Sequence, residues 1–181
     1  MVHLSNSAGI VRLPEAHFDA VRPGAILYGL NPGFDPELIP DLRPALALKG
    51  SLATVKSVEA GAPVGYNCAW RAERDSRIGI VPLGYVDGYP RTLSNNADVL
   101  VDGRRCPLVG LVSMDAITVD LTDAPGAKVG DEVVLIGRQG DEQVTVEELS
   151  TRAGTIVEEI AGRLSSRLPR RYLSSDGGGC R

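Results

Sequence analysis

The stretch LVGLVSMDAITVDL, residues 108–121, constrains the chain more than any other. Two runs rich in β-formers, LVGLV and AITVDL, flank a polar break, Ser113-Met114-Asp115. A sheet that buries the runs pushes such a break outward as a loop. Just upstream, VLVDGRRCPL carries Asp102-Gly103, a pair suited to a type I′ hairpin turn because glycine accepts a positive φ without a Cβ clash. A hairpin, a presented loop and another strand in direct succession predict antiparallel β structure. Taken alone, Ser-Met-Asp reads as an ordinary connection, and its surroundings must decide whether it is more.

Those surroundings continue the pattern. From residue 43 onward, ALALKGSLATVKSV alternates as one long strand, RIGIVPLGY as a second, ADVLVDGRRCPLVGLV as a hairpin, and AITVDL and DEVVLIG as two more. Short strands punctuated by Gly and Asp predict a small barrel or curled sheet. Thr145-Val146-Glu147-Glu148 and Thr155-Ile156-Val157-Glu158 each fit the T-x-x-E capping box, which predicts helices over 146–153 and 156–165, with Pro169 stopping the second. The tail SSDGGGCR, residues 174–181, has too little apolar content to pack and reads as a disordered end.

Residues 1–42 follow another pattern. HLSNSAGIV reads as a short strand and a polar turn, PEAHFDA as a helical turn or two, and AVRPGAILYGL as a buried parallel strand entered through Arg22-Pro23-Gly24. Strands joined by a short helix signal α/β architecture, yet two parallel strands cannot close a sheet. This part reads as the end of something larger. The proline-rich NPGFDPELIPDLRP has the composition of a boundary, dividing the chain into 1–42 and 43–173.

Composition narrows the function. The net charge of −4 carries no basic stripe, so nucleic acid and anionic membrane are poor partners. No apolar run approaches the roughly 18 residues of a membrane span, and no apolar leader opens the chain, which predicts a cytoplasmic protein. Cys68, Cys106 and Cys180 are too scattered for a disulfide framework or a metal site and read as free thiols.

Read together and in order, HLSNSAG, VRPGAILYGL, PVGYN, IGIVPLGYVDGYPR, LVGLVSMD and VLIGRQG resemble the alanine racemases, fold-type III pyridoxal-phosphate enzymes. The resemblance runs from His3 to Tyr172. It corresponds to the last part of such an enzyme: the final two strands of a (β/α)₈ barrel, then the complete C-terminal β-domain with its two helices. It therefore implies a mainly β fold. The family's cofactor lysine lies in a block like VVKANAYGHG near the start of the barrel, and nothing here matches it. Lys49, Lys56 and Lys128 stand in strand and turn contexts.

The resemblance also implies roles. Tyr66 in PVGYN matches the catalytic tyrosine, the base on the substrate face opposite the lysine. Racemisation removes a proton from one side of Cα and returns it to the other, so two opposed bases answer the geometry. A free phenol ionises near pH 10, so such a base works only among cations. Arg22 matches the arginine facing the cofactor's pyridine nitrogen. A guanidinium only donates and stays protonated, so it keeps that nitrogen unprotonated and weakens the ring as an electron sink. His3 matches a histidine behind that arginine. Ser7, with the backbone of Gly24 and Ala25, matches the phosphate-binding positions at the carboxyl ends of the last barrel strands. Met114 matches the position whose backbone meets the substrate carboxylate, Asp115 the adjoining acid, and Tyr85 a tyrosine of the entrance channel.

In this family Tyr66, Tyr85, Met114 and Asp115 would act on the cofactor of another subunit, which implies a homodimer or pairing with a barrel half. Ser113 stands where a cysteine is common. Ser166 stands where some members carry a tyrosine that crowds the substrate, so exclusion of larger amino acids is the property placed in doubt. Two other readings compete with the racemase: a non-catalytic β-domain serving as an interaction module, and one half of a split enzyme.

Overall fold

The computed structural model describes residues 1–39 and 41–173, so the tail predicted to be disordered, with Cys180, lies outside the described residues. Ten strands occur among the described residues. They are β1 (Leu48–Ser51), β2 (Thr54–Val58), β3 (Pro63–Val64), β4 (Trp70–Arg71), β5 (Ser76–Val81), β6 (Asp98–Val101), β7 (Arg104–Pro107), β8 (Ile117–Asp120), β9 (Glu132–Gln139) and β10 (Glu142–Val144). All strand pairs are antiparallel: one sheet runs β1-β9-β6-β7 with β10 also on β9, a second runs β2-β5-β8, and β3 pairs β4. A lone bridge from Leu108 to Val119 joins the two larger sheets and curls them around a common core. The mainly β class follows the alternation in the sequence.

Local chemistry explains the elements. Asp102 and Gly103 both take positive φ, 53° and 69°, as a type I′ turn requires, and register β6 on β7 from Val101↔Arg104 to Asp98↔Pro107. Half of the first capping box forms: Thr145 Oγ1 accepts from the Glu148 N–H at 3.0 Å and opens α2 (Val146–Ala153), the predicted span, while the Glu148 carboxylate turns to Arg105 and Arg152 instead of reaching back to the cap. The second does not. Thr155 instead bonds the Glu159 carboxylate, the cap position falls to Ile156 with no side-chain bond, and α3 (Val157–Gly162) ends well before Pro169. An isoleucine offers the free N–H groups no acceptor, so α3 starts without a side-chain cap, and its shortfall against 156–165 lies mainly at the carboxyl end, where it stops at Gly162.

Three strand assignments also need correction. ALALKGSLATVKSV is two strands in different sheets, β1 and β2, because the chain turns at Leu52 and Ala53, where backbone bonds to Asp131 and Ile80 part company. LVGLV is no strand: Gly110 sits at φ 80° and breaks the extension after the single bridge at Leu108. AVRPGAILYGL is not a buried strand either. Parallel pairing is confined to the His3↔Ala20 bridge and its flanks, Asp19 N–H to Val2 at 3.1 Å and Arg22 N–H to Ser5 at 2.8 Å. Then Pro23, which has no N–H to pair, leads into a 3₁₀ turn over Ala25–Tyr28. Between the paired ends lies α1 (Ser7–Arg12), capped by Asn6, whose side chain accepts from Gly9. The strand remnant is therefore two strand tips. It docks through Ala25 and Leu30, which join the main core, and through the Asn31 N–H, which donates to Glu147 Oε1 at 2.8 Å.

Candidate active site

The residues singled out in the sequence fall into two groups. The first surrounds the strand tips. Arg22 Nη2 donates to the Leu4 carbonyl at 3.2 Å, which fixes the guanidinium against the strand that carries His3. Ser7 Oγ accepts the Gly24 N–H at 3.1 Å, drawing together two of the positions expected at a phosphate. Ser7, Arg22, Gly24, Ala25 and Phe34 line an open hollow of about 280 Å³, with the carboxylate-bearing Glu158 of α3 on its wall. The turn that begins at Ala25 has no side-chain cap, so its leading backbone N–H groups stay available to an anion. A hydroxyl, uncapped amides and a guanidinium around one hollow fit the phosphate and ring ends of pyridoxal phosphate, with the exposed Glu158 carboxylate as the one opposing charge on its wall. The lysine that would bind it covalently has no counterpart here: Lys49 pairs with Glu132 at 3.0 Å, Lys56 lies on β2, and Lys128 precedes the turn at Asp131.

The second group stands on the β-domain. Tyr66 opens a 3₁₀ turn (Tyr66–Cys68) at the tip of the β3–β4 hairpin, in which Asn67 and Cys68 take positive φ of 58° and 50°. Tyr85 opens another turn (Tyr85–Asp87), held from inside by the buried Asp87, whose Oδ2 accepts the Gly84 N–H at 3.0 Å. Arg167 approaches the other oxygen of that carboxylate at 3.6 Å, and the Asp87 carbonyl accepts from Ser165. The Ser166 segment is thereby fastened beneath Tyr85.

Residues 110–114 tie these turns together. On one side, the Tyr85 and Val86 N–H groups donate to the Ser113 and Met114 carbonyls at 3.0 and 2.9 Å. Gly84 permits this approach, since a Cβ there would meet Ser113 O at 2.3 Å. On the other side, Gly110 lies against Val64 and Gly65, next to Tyr66. The loop expected to present Met114 and Asp115 does so: both are exposed, Met114 at 57 %, with Tyr66 at 70 % and Tyr85 at 39 %. Four large side chains in one frame face solvent, while the polar contacts of each group stay within it.

Comparison with known proteins decides what this frame belongs to. Residues 45–172 match the model "Alanine racemase, C-terminal domain", and residues 1–32 match "Alanine racemase, N-terminal domain". The chain belongs to the alanine racemase family. The alanine racemase of Syntrophobacter fumaroxidans is 49% identical over 158 residues, 87% of this chain and 42% of that protein. That of Symbiobacterium thermophilum is 48% identical, over 94% of this chain and 45% of its own length. The chain thus spans about half the length of the curated relatives it matches. The crystal structure of the Bacillus anthracis alanine racemase with bound L-Ala-P superposes with a TM-score of 0.91 at 38% identity, covering 99% of this chain and 46% of that one. The Bartonella henselae alanine racemase with covalently bound pyridoxal phosphate gives 0.84 at 37%, covering 93% and 46%.

Within this family frame, the sequence pattern did not mark Asp87, Ser94 or Asn95, although they hold the loops. The only signal was turn chemistry, Asp before Gly88 and the run Ser94-Asn95-Asn96. Among the described residues no metal-binding cluster of His, Cys, Asp and Glu occurs, and no helix is long and apolar enough to cross a membrane.

Proposed function

We propose that this chain takes part in the pyridoxal-phosphate-dependent interconversion of L- and D-alanine, a cytoplasmic step toward peptidoglycan precursors, in a site completed by a second chain. The observation that carries this reading is the division of the site. One group is ordered around an anion-accepting hollow and the other around an exposed tyrosine, and each keeps its own hydrogen-bond frame. A homodimer, or pairing with a barrel half, would set one chain's Tyr66 over the cofactor of the next.

When bound, pyridoxal phosphate supplies the conjugated ring that draws electrons from the substrate Cα. Ser7 and the uncapped N–H groups of the turn that begins at Ala25 would hold the phosphate, with Gly24, whose own N–H donates to Ser7, beside them. Arg22, with His3 behind it, would donate to the ring nitrogen, and a guanidinium there would limit how far the ring accepts charge. Tyr66 takes or returns the proton on its own face of Cα. The Met114 backbone orients the substrate carboxylate, with Asp115 beside it, and Tyr85 narrows the approach. Ser166 leaves the substrate side roomier than a tyrosine would, consistent with tolerance of side chains larger than methyl. The free thiols of Cys68 and Cys106 suit a reducing compartment.

The 181 residues alone have no racemase turnover in this reading, because no lysine stands beside the hollow; the split-enzyme reading draws on the same observation. The test supplies a separate family barrel half and measures racemisation and solvent-deuterium entry into each enantiomer. Tyr66→Phe should lower racemisation by about 10²- to 10⁴-fold, leave the spectrum of bound cofactor unchanged, and let deuterium enter only one enantiomer. Racemisation within a few-fold of the unmodified pair would overturn the assignment of Tyr66. Turnover by the chain alone, well above free cofactor, would overturn the need for a second chain.

A further inference from the structure

The Tyr66 turn is weakly built from its own residues. The β3–β4 hairpin beneath it has two residue pairs, Pro63↔Arg71 and Val64↔Trp70, and its tip carries consecutive non-glycine residues at positive φ. Such a tip holds its shape only where neighbours over-determine it. One side chain does this from outside. Asn95 Nδ2 donates to the Ala69 carbonyl at 3.1 Å, and Ala69 closes the Tyr66 turn through its N–H to the Tyr66 carbonyl at 3.2 Å. Asn95 Oδ1 accepts the Gly110 N–H at 2.6 Å. Next to it, Ser94 Oγ accepts the Val112 N–H at 3.0 Å and donates to the Arg91 carbonyl at 2.6 Å.

We infer that Asn95 is a positioning residue that sets Tyr66 in register with the segment leading to Met114. The side chain itself is required, not only the turn. Asn95 sits at φ 53°, a conformation glycine adopts more readily, yet glycine could neither donate to Ala69 nor accept from Gly110. An amide carries one donor end and one acceptor end on the same plane, which is what a carbonyl on one loop and an N–H on the other demand together. Aspartate offers only the acceptor. Because Gly110 also packs against Gly65, the contacts close a ring: Tyr66 turn, Asn95, Gly110, and back to Gly65, where β3 enters the turn. The consequence for catalysis rests on the reading of Tyr66 as a base, whereas the clamp does not.

The experiment therefore has two arms. In the 181-residue chain, amide exchange at Gly110 and peptide-resolved alkylation of the exposed Cys68, two residues past Tyr66, report the clamp without any activity, with the buried Cys106 as the control for global opening. Asn95→Gly relieves the backbone and so preserves the fold; it should raise both rates at least tenfold while Cys106 stays inert. Asn95→Asp should keep Gly110 protected yet accelerate Cys68. Unchanged rates at both sites in Asn95→Gly would overturn the clamp. In the second arm, with a barrel half supplied, Asn95→Gly should lower kcat about 10- to 100-fold with little change in KM, and slow proton exchange selectively on the face that Tyr66→Phe abolishes. A released clamp with unaltered exchange on that face would overturn the positioning role. Exchange that survives Tyr66→Phe would instead remove the base reading and leave the clamp standing on the first arm.

Discussion

In residues 43–173 the sheets and α2 are sealed, with Val99, Leu100, Val133, Val134, Leu135 and Leu149 all at 0% exposure, whereas in residues 1–42 only Ser5, Ala25 and Leu30 bury a side chain among the described residues. Leu4, Leu13, Phe18, Leu27 and Tyr28 lie open on that shorter segment, each at 50% or more. The β-domain supplies nearly all of the main core, to which the amino-terminal segment adds Ala25 and Leu30, and carries Tyr66, Met114 and Tyr85 on loops above it. The amino-terminal segment borrows stability through two apolar anchors, the Asn31 bond to Glu147 and the Ala45 N–H bond to the Tyr28 carbonyl, and carries the hollow on backbone and turns. Both regions present functional groups to solvent.

The comparison breaks most readily at the core. Leu135→Ala, in the centre of β9, should cost about 2–5 kcal/mol, the transfer loss plus an unfilled cavity, read as a shift in denaturant midpoint at constant slope. Leu27→Ala, at 68% exposure, should stay within about 0.5 kcal/mol. Equal effects would mean that the two regions share one core. Leu30→Ala sharpens the point, since Leu30 is 2% exposed and lies where the segment enters the β-domain core. It should cost about 2–3 kcal/mol and expose residues 1–29 to protease before the β-domain opens. Simultaneous cleavage in both regions would show that the segment does not loosen by itself.

A third comparison is electrostatic. Arg105 on β7 reaches Glu148 on α2 with both terminal nitrogens, at 2.8 and 3.0 Å, and Glu142 at 3.1 Å. Arg152 meets Glu148 at 2.9 Å and Asp98 at 2.9 Å. Hydrogen bonding from Arg105 holds the Glu148 carboxyl below its ordinary value of 4.5, against the opposing effect of burial. A depressed folded pKa binds protons more weakly than the unfolded chain does, so the stabilisation is complete above about pH 4.5 and is lost as pH falls through the lower folded value. Glu148→Gln should therefore destabilise by about 1 kcal/mol at neutral pH, a value reduced for the partial exposure of the network, and flatten the acid limb of the stability profile. A variant with an unchanged acid limb would remove Glu148 from the account.

The outcome also shows what the sequence made legible. Alternation and Asp102-Gly103 gave the antiparallel strands and one two-residue hairpin turn, because both depend on residues close in the chain, whereas the equally tight β9–β10 turn at Gly140-Asp141 went unforeseen. Family blocks drew attention to Tyr66, Arg22 and Met114, and the structure groups them into two frames. What stayed hidden depends on contacts across the fold. The division of 43–58 into two sheets is settled by pairing with β9 and β5, and Asn95 matters only because Ala69 and Gly110 come within reach of it. The hairpin under Tyr66 is two residues long on each side, too short to leave a periodicity. AILYGL reads as a strand by composition, and Pro23 and the uncapped turn after it override that reading.

The smallest effects separate the two capping sequences, and with them the two helices. Thr145 and Thr155 stand at the head of the same T-x-x-E pattern, so the sequence gives them equal weight, but their surroundings differ. Thr145 closes the start of α2, which packs Leu149 into the core beside the Asp98 network. Thr155 precedes α3, whose Glu158, Ala161 and Gly162 line the second hollow shared with Gly24, Ala25 and Tyr28, on the side where the amino-terminal segment docks. Loss of the Thr145 acceptor leaves the Glu148 N–H unpaired at the first turn and should cost about 1 kcal/mol. Thr155→Ala removes a contact to an exposed carboxylate and no backbone cap, so its effect should be a few tenths of a kcal/mol at most. Thermal or denaturant melts of the two single variants decide the matter. A Thr155→Ala loss as large as that of Thr145→Ala would mean that α3 is held by its own start rather than by Val157 and Ile160 in the core, and the distinction between a self-supporting β-domain and a docked segment would have to be redrawn at α3.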